Sequence, residues 1–294
     1  ENIASPRQAS FLTGVTLEPM QATLRRASLM LQGRIPTDAE KASVFSDATL
    51  RVALRRMMSG PAFRQFVVTS VNDRLLTKGT EKPINESNTN NFLKIHNKWA
   101  RDQLDNNYDY TFWESLRSEL RRSSGELVAY VIENGLPYSE ILTAEYMMMN
   151  PSLNNWLEGT ATFTDGDSSD TYKPSVIQGY YFLSALENKE DDPAGFNDIY
   201  AAIAPPVMDY PHAGLLSDVA FLSRYPTTAT NRNRARARWT LFHFLGIDVE
   251  KSSQRPTDEA ALSDKNNPTM NNPSCTVCHA LLDPVAGAFQ NWGD

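Results

Sequence analysis

The chain has 294 residues, enough to bury a sizeable core as one large domain or two of ordinary size. Apolar residues at 41% and charged residues at 21% are globular proportions, and no apolar run approaches the roughly 20 residues that cross a bilayer, so no membrane span is expected. A net charge of -7 argues against a general nucleic-acid binder, which needs a basic surface to displace phosphate counterions.

The opening stretch "ENIASPRQ" shows no signal peptide, which is also what remains when a secretion leader has been removed. From about residue 18 to 158 the apolar spacing is mostly helical, which predicts an N-terminal helical domain over residues 1–158. In "IPTDAEKASVF", Thr37 with Glu40 three residues on has the form of a capping box. "SGPAFRQFVVTSVNDRLL" follows as a helix, with Gly60 closing the previous one and Pro61 in the first turn. "TKGTEKPINESNTNN" is a polar loop. A helix is expected over 91–104, then two shorter ones around "TFWESLRSEL" and "SEILTAEYMMM". Met147, Met148 and Met149 serve as core filler on the latter, before Pro151 breaks the pattern.

Residues 159–210 are rich in turn formers and acids and are expected to be a connecting region. Within it, Asp165, Asp167 and Asp170 suggest calcium, but lack the register of an EF-hand, and a solvated acidic loop is the better reading. Helical spacing returns in "GLLSDVAFLSRY" and "NRNRARARWTLFHFLG", where Gly246 supplies a stop. The second stretch carries the one basic cluster, Arg232, Arg234, Arg236 and Arg238, expected to be mostly solvated.

The only two cysteines, Cys275 and Cys278, lie three residues apart in "NPSCTVCHALLDP", and His279 follows at once. Random placement of two cysteines and four histidines reproduces that pattern in roughly one chain in ten thousand. Cys-x-x-Cys-His is the attachment sequence of a c-type haem: the two thiols form thioethers with the vinyl groups, and the imidazole ligates iron. Structural zinc wants four ligands, more than this motif supplies. A thioredoxin-like pair needs a strand-turn-helix setting, whereas this motif follows a polar, Asn- and Pro-rich loop. The motif therefore predicts one covalent haem c, with residues 211–294 as the haem-binding part. Asp283 and the carbonyl of Pro284 are the candidates to orient the His279 ring, unless "DP" only ends a short helix begun near Ser274.

The sixth iron position decides the chemistry, since His or Met there favours electron transfer and an open position permits ligand binding. His212, in the loop "DYPHAGLL", is the first candidate. His243 is the second, although its place on an apolar helix face also suits a satisfied core residue. His96, Met208 and Met270 rank behind them. Trp239 and Trp292 can pack on a porphyrin or belong to ordinary core.

"NPSCTVCHALLDPVAGAFQNW" resembles the haem segment of the planctomycete-type cytochrome c proteins, secreted bacterial proteins in which "DP" follows the attachment motif. "AGLLSDVAFLSRYPTT" with "RARARWTLFHFLG" resembles the two helices before that segment, and "LRRASLMLQGRIPTDAEKASVF" and "YSEILTAEYMMMN" resemble the group's helical domains. The chain departs from the pattern at Ala286 and Gly287, where the family has Gly and an aromatic, and at Gly293, where it has Asp. It also ends soon after the motif, where the family continues. The resemblance implies a mainly helical, periplasmic or extracellular mono-haem protein that exchanges electrons with a redox partner protein. Two other functions fit the same residues: a peroxidase-like haem oxidoreductase with an open sixth position, or a secreted interaction module with a structural haem.

Overall fold

A computed structural model describes residues 14, 16, 18–77, 110–177, 211–227, 230–252, 254 and 256–290, with side chains from 114 onward in the helix that begins at Tyr110. The protein is mainly helical, as its apolar spacing predicts, and divides into two compact units, residues 1–67 and 68–294. The expected helix over 91–104, together with His96, Met208 and Trp292, lies outside the described residues.

The first unit contains α1 (Met20–Gln32), α2 (Asp38–Ser43) and α3 (Asp47–Met57), and α4 (Gly60–Leu75) runs on into the second. Its small core joins Leu24, Val44, Ala53 and Met57. The capping box at α2 is present in full: the Thr37 side chain accepts from Glu40 N, and Glu40 accepts from Thr37 N. Gly60 does not cap α3, which stops at Met57; at φ +82° it makes the turn that opens α4.

The second unit is organised by α5 (Tyr110–Glu133), a single 24-residue helix rather than a short one around "TFWESLRSEL". Leu116, Leu120, Leu127 and Val131 recur on one face and are buried. Gly125 permits α4 to pass close by, because a Cβ there would lie 2.8 Å from Val68 Cα.

The methionine run corrects the helical expectation. After α6 (Glu140–Thr143) the chain extends, and β1 (Met147–Met149) pairs antiparallel with β2 (Lys173–Ser175), Met148 opposite Pro174. All three methionines are buried, so a continuous apolar run here fills both faces of a strand. Pro151 likewise starts an element instead of ending one: it is the first residue of α7 (Pro151–Trp156), whose N-cap Asn150 accepts from Leu153 N. The described part of the 159–210 stretch contributes β2 and the exposed turns at 165–166 and 169–170 beside it. Two of its acids pair, Asp167 with Lys173 at 2.9 Å and the largely exposed Asp170 with Arg122 at 2.6 Å, while Asp165 is exposed, as a solvated loop requires.

The chain returns at residue 211 to seal this core. Gly214, at φ +51°, donates to Ala144 O while Leu215 donates to Ile141 O, an approach so close that a Cβ on Gly214 would sit 2.2 Å from Ile141 O. Asp218, the N-cap of α8 (Val219–Arg224), accepts from Ala220 N and lies 3.0 Å from Ser123 Oγ of α5. Then come α9 (Arg234–Leu245), ended as expected by Gly246 in the left-handed region, α10 (Val249–Ser252), α11 (Glu259–Ser263), α12 (Pro268–Asn271) and α13 (Pro273–Ala288).

Candidate functional site

The Cys-x-x-Cys-His motif lies in the first two turns of α13. Asn272 caps this helix by accepting from Ser274 N, and Pro273 takes the first helical position, where its missing N–H costs no hydrogen bond. The helix does not end at Asp283-Pro284. It carries Pro284 in its interior and runs to Ala288, and Pro284 is exposed.

Helical geometry gives the motif its shape. Cys275, Cys278, His279 and Leu282 are spaced i, i+3, i+4 and i+7, so they form one stripe. All four face a single cleft of about 400 Å³, within the size range of cofactor pockets. The opposite wall is supplied by Arg234 and Arg238 of α9 and by Val249 and Glu250 of α10. Both cysteines are free thiols and half-buried, and Cys278 Sγ lies 3.7 Å from Val249 O.

Of the two expected orienting groups, Asp283 meets the ring. His279 Nδ1 lies 3.0 Å from Asp283 Oδ1, which is one helical turn on, while Asp283 also receives Arg234 Nε at 2.7 Å and a second guanidinium nitrogen at 3.1 Å. A neutral ring that donates from Nδ1 to this carboxylate keeps the Nε2 lone pair for a metal. Burial works to raise the Asp283 pKa, but the hydrogen bonds from Arg234 and His279 outweigh it and hold the carboxyl below its usual range.

The remaining candidates lie elsewhere in the fold. His212 Nε2 accepts from Ile177 N at 3.1 Å, beside the end of β2, and burial lowers its pKa to about 4. His243 is buried on α9 and lies 3.0 Å from Tyr225 OH. The Tyr225 hydroxyl donates to Leu75 O at 2.7 Å, so the tyrosine oxygen accepts from the ring and His243 carries its proton on Nε2. Burial, then the charge of Arg74, lowers the His243 pKa. Trp239 stacks on both Tyr225 and His243, with ring centroids 5.2 Å away in each case. None of these three residues lines the cleft, and Met270 is exposed on α12. Among the described residues, no three His, Cys, Asp or Glu side chains converge as metal ligands by themselves.

Sequence reasoning offers the arginine cluster as a candidate source of propionate partners but gives most of it to solvent, without separating the arginines that face the motif from the rest. The arginine cluster splits three ways: Arg232 is exposed, Arg234 and Arg238 are half-buried at the cleft, and Arg236 is buried, donating to Tyr225 O and Asn233 Oδ1. Arg238 pairs with Glu250 at 2.8 Å. The available signal was helical spacing, since i, i+4 puts Arg234 and Arg238 on one face.

Residues 25–158 match PSD4, a family described as "Protein of unknown function (DUF1592)". The cleft lies outside that matched stretch. No curated protein and no solved structure matches the chain. No helix among the described residues is long and apolar enough to cross a membrane.

Proposed function

We propose that the protein is a mono-haem c-type cytochrome that transfers electrons, with the haem attached through Cys275 and Cys278 and iron ligated by His279. The observation that carries this reading is the single stripe Cys275, Cys278, His279 and Leu282 facing one cleft, with His279 Nδ1 engaged by Asp283 and Nε2 left as the ligand atom. Bound there, the group supplies a reversible one-electron iron couple. The chain's own residues would do the rest: the thiols would anchor the group, Asp283 would orient the imidazole, Leu282 and Val249 would exclude water, and Arg234 and Arg238 would bring positive charge to the cleft that would hold the propionates. Zinc is the weaker reading, because among the described residues a third and fourth ligand do not converge on the two thiols.

A periplasmic or extracellular location and a redox partner protein belong to the same proposal, and rest on the resemblance to planctomycete-type cytochromes. The match over residues 25–158 is compatible with that family. A second reading, an oxidoreductase whose sixth iron position takes a small ligand, is favoured by one observation: Nε2 is already engaged in both His212 and His243.

The test is protein matured together with haem-attachment machinery, assayed by alkaline pyridine spectra and by visible spectra of both oxidation states. The parent chain is expected to carry one covalent haem, and the Cys275→Ser/Cys278→Ser variant none. Absence of covalent haem from the parent overturns the proposal and returns the site to thiol or zinc chemistry. A low-spin spectrum indifferent to carbon monoxide supports the electron carrier, whereas a high-spin spectrum that changes with it selects the oxidoreductase.

A further inference from the structure

The start of α9 is built at odds with ordinary helix design. Arg234 is its first residue, so a cation occupies the end where the helix dipole is already positive. Asn233 before it sits at φ +66° and makes no side-chain cap, because its amide donates to Phe289 O at 2.9 Å while its oxygen accepts from Arg236. Two consecutive residues therefore leave the capping of α9 undone and reach to α13, one to its C-terminal end and one to Asp283. The Arg234 contact is the two-pronged kind, with fixed geometry, and its acceptor is the carboxylate that meets the His279 ring.

We propose that Arg234 is a positioning residue for the iron ligand: by clamping Asp283 it fixes the tautomer of His279, and its charge limits the electron density that the imidazole passes to iron. This rests on the haem reading of the cleft. A carboxylate that accepts from Nδ1–H makes the ring more basic and favours oxidised iron. A guanidinium sharing that carboxylate takes up part of its negative charge, weakens the pull on Nδ1–H and favours reduced iron. The relay thus has a sign at each position. Loss of the arginine charge lowers the reduction potential, and loss of the carboxylate charge raises it.

Equilibrium redox titration of the haem-loaded full chain reads both signs. Arg234→Gln is expected to shift the oxidised-to-reduced ratio at fixed ambient potential about tenfold toward oxidised, about 59 mV for one electron, and Asp283→Asn to shift it the other way. Arg234→Lys keeps the charge without the fork and should move less than the glutamine variant. A residue that only pins α13 would not produce opposite signs, so shifts of the same sign, or no shift in Arg234→Gln, overturn the proposal. The clamp is read separately in the unloaded chain by ¹⁵N spectra of the neutral His279 ring. The parent should be mostly Nδ1–H, and Arg234→Gln should cut that excess at least threefold; an unchanged tautomer overturns the clamp. If no haem attaches, the haem reading fails and the clamp stands or falls on the tautomer alone.

Discussion

Arg122 and Arg234 use the same chemistry at the same exposure, 27% of each side chain, but the carboxylates they meet lie at different depths. Arg122 Nε meets Glu126 at 2.6 Å and another of its nitrogens meets Asp170 at 2.6 Å, with the guanidinium 5.4 Å from the Tyr172 ring centre. The Glu126 side chain is 0% exposed. Arg234 meets Asp283 at 2.7 Å, but the two side chains keep 27% and 32% of their surface in water. The buried Glu126 charge cannot turn to solvent, so removing its ion-pair partner is costly. A half-exposed pair is replaceable by water and contributes little to stability, which leaves its charge available for tuning a neighbour. The surrounding packing follows the same division. The α5 face is fully buried, whereas α13 buries only Ala286 and leaves Val277 and Leu281 exposed.

The contrast breaks most directly at the arginines. Arg122→Ala should cost about 3–5 kcal/mol in denaturant unfolding, because it takes an ion-pair partner from the buried Glu126 carboxylate. A loss below about 1 kcal/mol would mean that Glu126 is not sealed.

Next in size is a pH effect in the same core. Ser123 Oγ lies 2.8 Å from Met148 O and 3.0 Å from Asp218 Oδ2, so its single hydroxyl proton is shared between two acceptors when Asp218 is ionised. Burial raises the Asp218 pKa to about 6, against the partly compensating hydrogen bonds from Ala220 N and Ser123. A raised folded pKa means the folded state holds the proton more tightly. The group's stabilisation is therefore complete below about pH 4 and lost as pH rises to about 6, about 3 kcal/mol in all. Asp218→Asn, which keeps the cap to Ala220 N, should abolish that slope; an Asn variant with the parent's slope would contradict the assignment.

His212 works in the opposite sense. Its folded pKa of about 4 lies below the unfolded value of 6.5, so its contribution is present above pH 6.5 and lost as pH falls toward 4, when the proton on Nε2 displaces Ile177 N–H. The protection factor of the Ile177 amide, its intrinsic exchange rate at each pH relative to the observed rate, should fall as pH drops through that window, and protection unchanged down to pH 4 would refute it. The two slopes oppose each other in the parent chain. Single variants separate them.

The smallest effect belongs to the cleft. Arg234→Gln should change unfolding free energy by about 1 kcal/mol or less, even where the reduction potential of the loaded protein moves. A loss as large as that of Arg122→Ala would erase the distinction between the two clusters.

What the sequence determined by itself was local. Thr37 and Glu40 cap a helix at three-residue separation, Gly246 ends one, and Cys275, Cys278 and His279 share a helix face, because each outcome depends on backbone geometry within a turn or two. Asp283 was visible for the same reason, one turn beyond His279. Tertiary structure alone decided the rest. The Met147–Met149 run is a strand because β2 lies beside it. Asp218 meets Ser123 across 95 positions and Arg234 meets Asp283 across 49. No periodicity connects such residues; only the packing of α5 against the returning chain, and of α9 against α13, brings their charges within hydrogen-bonding distance.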